Sequence, residues 1–195
     1  MNDLNTLTGI INDQQLSAAP DTLKSRLNKE GKFFVSNIRE LIDAQVTSPM
    51  QNSVIWTHLV LLKVNCFIWR VCIGRIPTAS ALSKQGVNIQ HQSCRECVDG
   101  MDEVDHIFAG CPFAKEVLRR IWSWCAIDPP QFGTINDIIM YAANSGTFPK
   151  KRKVMLAIVY GYVWSLWRNR NNRIFNNKIT SASKVEEDIF SLVFN

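Results

Sequence analysis

The stretch from residue 94 to residue 111 constrains this chain more than any other. It reads Cys94-Arg95-Glu96-Cys97, then eight residues, His106, four more, and Cys111. A C-x2-C turn aims two thiolates at one point from a single tight loop, and zinc takes four thiolate or imidazole ligands in a tetrahedron. His106 and Cys111 sit just before an expected helix and can close the tetrahedron from the far side. With all four positions filled by protein, no position is left for water or substrate. Such a metal is structural and not a Lewis acid. The intervening Val98-Asp99-Gly100-Met101-Asp102-Glu103 is too polar to fold by burial alone. Two other readings stay open. One is a redox C-x2-C pair beside an ordinary surface His106; the other takes His91, three residues before Cys94, as a ligand in place of a later one.

The rest of the cysteine usage depends on compartment. Residues 1–20 lack a basic segment followed by an apolar core, so no secretory signal is expected. The longest uncharged apolar stretch, 154–167, falls short of the roughly 20 residues that span a bilayer. The chain is therefore expected to be soluble and intracellular, in nucleus or cytoplasm, not secreted and without a membrane partner. There, six cysteines are thiols or metal ligands before they are disulfides. Cys66, Cys72 and Cys125 lie in apolar surroundings and are expected to pack as small hydrophobes. His58 is expected at a surface.

Catalytic patterns are thin. There is no G-x-S-x-G, no Walker glycine loop and no H-E-x-x-H. Asp102, Glu103 and Asp105 lie inside the cysteine–histidine loop, where carboxylates solvate a turn or accept hydrogen bonds from behind the ligands.

The 195 residues, 46% of them hydrophobic with six Trp and ten Phe, suit one folded domain with a tail. Residues 1–20 are polar and aperiodic and are expected to be flexible. Residues 23–35 read strand, turn, strand around Asn28-Lys29-Glu30-Gly31. A helix near 38–44 follows, with Asn37 and Glu40 at capping-box spacing. Val60, Val64, Phe67 and Val71 make one helical face within 53–73. That helix ends at Gly74, and Pro77-Thr78 opens a short one closing at Gly86. Pro112 suits the first position of a helix to about Cys125. Further helices are expected at 134–144, 150–176 and 182–193. The fold class is mainly α with a small N-terminal β-hairpin, a helical domain organised around a treble-ligand loop, the Cys-Cys-His-Cys zinc site at 90–115.

The order of these pieces resembles a known family. Leu62-Lys63-Val64-Asn65-Cys66-Phe67-Ile68-Trp69-Arg70 is followed by Arg75-Ile76-Pro77-Thr78, Leu82, the C-x2-C, Asp105-His106-Ile107-Phe108 and Cys111-Pro112-Phe113-Ala114. This is similar to the zinc-binding domain C-terminal to the polymerase in reverse transcriptases of plant LINE-type, non-LTR retrotransposons. Gly31 to Val35 resembles that family's G-x-F-x-V strand. Trp164 to Phe175 resembles its W-x-x-W-x-x-R-N-x-x-x-F tail, with one extra residue. A proline near Leu61 and a Trp near Leu23, usual in the family, are absent. The resemblance implies Zn2+ on Cys94, Cys97, His106 and Cys111, a zinc-binding domain over 21–127 and a helical C-terminal extension over 128–195.

The same resemblance sets the expected function. No Tyr/Phe-x-Asp-Asp and no Asp-Asp pair occurs, so the chain should not itself copy RNA, which needs carboxylates holding two magnesium ions. It is expected to be a fragment or domesticated remnant of a longer element, an accessory that binds RNA or DNA through phosphates. The cations expected to serve are Arg95, Arg119, Arg120, Lys150, Lys151, Arg152, Lys153, Arg168, Arg170 and Arg173. A net charge of +5 permits this without demanding it. The alternatives are a docking module for the polymerase domain or another partner, and an inert relic.

Overall fold

The computed structural model describes residues 26, 31–32, 34–46, 54–97, 99–128, 130–146 and 148–194. The chain divides into two compact units, Met1–Gln51 and Asn52–Asn195. In the first, helix α1 spans Val35–Val46. The expected flexible segment 1–20 and most of the expected hairpin over 23–35 lie outside the described residues. Where that hairpin is described, at Gly31, Lys32 and Phe34, there is no strand, and Val35 already opens α1. A lone two-stranded hairpin is marginal in water, so a helical turn wins easily over a β-prone Phe-Val pair. Because α1 starts early, Asn37 is no N-cap; its backbone N–H donates to the Phe34 carbonyl at 3.1 Å.

The second unit holds α2 (Leu62–Cys72), α3 (Ala79–Lys84), a π-turn (His106–Gly110), α4 (Pro112–Trp124), α5 (Ile135–Asn144), α6 (Pro149–Asn176) and α7 (Ala182–Phe194). Among the described residues the sole β pairing is an isolated bridge between Ser93 and Met101. The C-terminal helices expected as an extension from residue 128 belong to this same unit.

Helix α6 is the axis. At 28 residues it is about 42 Å long at 1.5 Å per residue. Met155 to Val163 is buried on every face, because α2, α5, α7 and the π-turn all pack on it. Gly161 admits α7: a Cβ there would stand 3.0 Å from Val193 Cγ2 and 3.4 Å from Ile189 Cγ2. From α2, the expected face of Val60, Val64, Phe67 and Val71 is buried. Phe67 meets Trp164 edge-on at 5.4 Å and Trp167 at 5.6 Å. Among the described residues no helix is long and apolar enough to cross a membrane.

Local chemistry sets the helix starts. Asn65 pins the chain ahead of α2, accepting from Thr57 N–H at 3.2 Å and donating to the Thr57 carbonyl at 2.8 Å. Thr57 Oγ1 also accepts from Leu59 N–H at 3.2 Å. These bonds hold 57–61 in turns and delay the helix to Leu62, against the earlier start that composition suggested. Thr78 caps α3 by accepting from Ala81 N–H at 3.1 Å. Thr134 and Asp137 form a capping box at α5.

Cys66 departs from its expected place. It lies on the outer side of α2, away from the Val64–Phe67–Val71 face, and is exposed, whereas Cys72 and Cys125 are half-buried.

Candidate metal centre

The polar loop between α3 and α4 has little regular structure, so specific anchors hold it. The Ser93–Met101 bridge is flanked by Cys94 N–H donating to the Gly100 carbonyl at 2.6 Å and Asp102 N–H to the Gln92 carbonyl at 2.8 Å. Asp102, only 2% exposed, is the hub. Its Oδ2 accepts from Ala79 N–H at the start of α3 at 2.6 Å, and its carboxylate faces Arg170 of α6. Asp105 Oδ1 accepts from Ile135 N–H at the start of α5 at 3.0 Å. Each carboxylate thus satisfies a helix-start donor that has no intrahelical acceptor. Both act as fasteners of the fold, Asp102 from within and Asp105 from the surface.

Those anchors bring the four expected residues together. The three sulfurs of Cys94, Cys97 and Cys111 and one His106 nitrogen all lie within 4.8 Å of one another. Cys94 Sγ is 3.9 Å from Cys111 Sγ, and Cys97 Sγ is 3.1 Å from His106 Nε2. In a tetrahedral zinc site with Zn–S of about 2.3 Å, neighbouring sulfurs stand about 3.8 Å apart. The donor set fits zinc in number, chemistry and spacing. His91 stands exposed outside the cluster, which leaves the later histidine in place.

Backbone geometry delivers His106. Its carbonyl accepts from Cys111 N–H at 2.7 Å, closing the five-residue π-turn that aims His106 and Cys111 at one point. The imidazole rests on Gly100, where a Cβ would stand 2.0 Å from His106 Cε1. Tyr162 of α6 clamps the turn from behind, its one O–H donating to the Phe108 carbonyl at 2.7 Å with the Ala114 carbonyl also in reach at 3.2 Å.

The electrostatics suit a cation. The hydrogen bond from the Cys111 thiol draws Cys94 down to about 5; burial opposes this, and the backbone N–H groups of Cys97 and Glu96 assist. Cys111 is pushed up, first by that shared hydrogen bond and then by burial. A bound ion takes both sulfurs as thiolates and displaces the proton that they share.

The expected phosphate-binding cations fall into two groups. Arg170 is 6% exposed, lies against Asp102 and stacks over Trp167 at 4.7 Å. Arg173 pairs with Glu96 at 3.0 Å, beside Cys97, and Asn169 donates to the same carboxylate at 3.0 Å. Arg120 joins α4 to α7 through Glu186 at 2.7 Å. These three guanidiniums fasten the fold instead of lining an outer face. Arg152 is half-buried, and its Nε is enclosed without a partner. Arg119 is exposed but forks onto Glu116 at 2.8 Å. Arg95, Lys150, Lys151, Lys153 and Arg168 are exposed. Among the aromatics, Trp122 and Trp167 are core, and Trp124 is exposed with one side against Phe190 at 4.4 Å.

Sequence reasoning did not find the fastening roles of Asp102, Arg170, Glu96 and Arg173. Their signal is weak, since pairs separated by 68 and 77 residues are joined by topology alone.

No curated protein and no solved structure matches the chain. Residues 33–118, which contain all four members of the cluster, match the family model described as zinc-binding in reverse transcriptase.

Proposed function

We propose that this chain is a structural-zinc accessory of a reverse transcriptase of the plant LINE type, binding RNA or DNA through backbone phosphates and carrying no catalytic residue. The observation that carries the zinc reading is the closed set of three sulfurs and one imidazole nitrogen within 4.8 Å, inside the matched segment. Four protein donors leave no position for a substrate. The nucleic-acid reading is supported by the cations that the fold leaves outside: Arg95, Lys150, Lys151, Lys153 and Arg168 are exposed and make no ion pair among the described residues. Arg119 contributes less, being half-neutralised by Glu116.

The test is metal analysis of the purified chain beside a salt titration of its binding to single-stranded RNA and DNA. One zinc per chain is expected, with log affinity falling linearly against log salt as counterions are released. Metal-free protein whose cysteine–histidine loop is ordered without added zinc would overturn the zinc reading, and salt-independent binding would overturn the phosphate reading.

A second reading is favoured by one surface. Ile55, Trp56, Leu61 and Leu62, around the start of α2, are all exposed. Contiguous exposed apolar side chains mark protein contacts. Salt-tolerant association with a polymerase fragment, lost on Leu62→Asp, would place docking ahead of nucleic-acid binding.

A further inference from the structure

Between the C-terminal half of α6 and the start of α7 lies a polar cleft of about 380 Å³. Arg168, Lys178 and Lys184 line it together with Ser165, Thr180 and Ser181. It is separate from the metal cluster and from the Lys150–Lys153 run.

Three features give the cleft a chemical preference. First, Arg168 and Lys178 make no ion pair among the described residues; Lys184 is shared with Glu187 at 2.9 Å and with Asp188, which also lines the cleft, at 3.5 Å. Three cations against the two carboxylates on Lys184 leave the local balance positive, with Arg168 and Lys178 carrying it. Second, Ser165 is 7% exposed within α6, yet it lines the cleft and its hydroxyl has no hydrogen-bond partner among the described residues. The residue is buried while its hydroxyl reaches the cleft, where it presents an open donor to whatever enters. Third, Ser181 stands at the start of the 13-residue α7, its Oγ accepting from Lys184 N–H at 3.3 Å. The other first-turn N–H groups have no intrahelical acceptor, and a helix start favours negative charge. Hydroxyls, guanidinium, ammonium and helix-start N–H groups converging on one polar cleft are the donor chemistry of a phosphate site. An apolar ligand would leave Arg168, Lys178 and the Ser165 hydroxyl unanswered.

We propose that this cleft receives a phosphate group of the nucleic-acid backbone, with Arg168 and Lys178 as the principal charges and Ser165 as the buried donor. The inference rests on the nucleic-acid reading for the source of the phosphate and on the cleft alone for the phosphate itself.

The experiment uses the full chain and its R168A/K178A variant with two probes. Inorganic phosphate is titrated by 31P NMR, and a fluorescent single-stranded oligonucleotide is titrated at several salt concentrations. Both substituted residues are free of ion pairs, so far-UV circular dichroism and zinc content should match the wild type. Expected is phosphate line broadening by the wild type that the double variant loses. The salt slope for the oligonucleotide should become shallower by about 1.4, at about 0.7 for each lost single-strand contact. Phosphate binding without oligonucleotide binding would support the cleft and overturn the nucleic-acid reading. Oligonucleotide binding with an unchanged slope and no phosphate effect would overturn the cleft and leave that reading standing. Loss of neither signal in the double variant overturns the cleft as the site.

Discussion

Arg170 of α6 and Asp102 of the metal loop form a buried ion pair across 68 residues, with Nε donating to Oδ1 at 3.0 Å and a second guanidinium nitrogen on Oδ2. The arrangement is a two-toothed fork, and Asp102 also accepts the first N–H of α3. A charge left alone in this site has no water to turn to, so the single substitutions Arg170→Met and Asp102→Asn should each cost about 3–5 kcal/mol. The double variant should cost clearly less than their sum, because neither leaves its partner's charge behind. Urea unfolding measures this. A single variant within about 1 kcal/mol of wild type would show that the loop does not depend on the pair.

The second prediction concerns Gly100 and His106. A methyl group at residue 100 would enter the imidazole at 2.0 Å from Cε1, whereas at Gly133 the nearest atom is Asp137 Oδ2 at 3.8 Å. Gly100→Ala should therefore displace His106 and weaken zinc retention against a chelator at least tenfold, a range seen when groups supporting a metal ligand are lost. Gly133→Ala should leave retention unchanged. Equal retention in both variants would show that the His106 ring does not need this floor.

How much of this was legible beforehand depends on the range of the interaction. Pro112 at the first turn of α4 and Thr78 at the cap of α3 act within a few residues, and the sequence placed both helices. The 3.6-residue period of Val64, Phe67 and Val71 found the buried face of α2. Ligand spacing picked out the cluster, since a metal site must draw residues of fixed chemistry from a short loop. The orientation of Cys66 was lost because an apolar neighbourhood in sequence does not say which side of a helix a residue takes. Arg170 and Arg173 were read as phosphate contacts because a dense basic run looks alike whether it faces solvent or acids brought in from residues 96 and 102. Only the packing of the loop against α6 tells these apart.

The third prediction is a loss of stability in alkali. Burial pushes the Cys72 thiol up to about 11 from its ordinary 9.0, and raises Tyr160 and, more strongly, Tyr162. Each folded value lies above its unfolded one, so the stabilisation is complete below the unfolded values and is lost as pH rises through the folded ones. Urea midpoints should hold steady up to about pH 9 and fall steadily above it. Tyr162→Phe should remove part of that slope. At neutral pH the same change should cost about 1–3 kcal/mol by taking the donor from the buried Phe108 carbonyl. A midpoint that does not move between pH 8 and 11 would contradict this burial.

The last prediction separates what the metal holds from what the core holds. In small zinc peptides the ion supplies about 10–16 kcal/mol and the apo form is unfolded. This chain differs, because α4 to α7 are joined by extensive core packing through Val117, Ile121, Ile138, Ala142, Tyr160, Val163, Val185 and Ile189. The loop has no such reserve: among its described residues between Val87 and Asp105 the buried side chains are Cys94 and Asp102. Chelation, or Cys97→Ser, should therefore release residues 87–105 while Ile107, Phe108 and Ala109 stay in the core and most of the helix signal survives. Hydrogen exchange should accelerate at Cys94 and Asp102, whose N–H groups close the Ser93–Met101 bridge. The amides of α5 and α7 should keep their protection. The thermal midpoint should still drop, since an opened loop withdraws Asp102 from Arg170 and strands a guanidinium against Trp167. If far-UV circular dichroism collapses together with the metal, the helices lean on the ion as small zinc peptides do. If exchange in the loop is unchanged, the four residues are held by the Asp102 and Asp105 anchors alone.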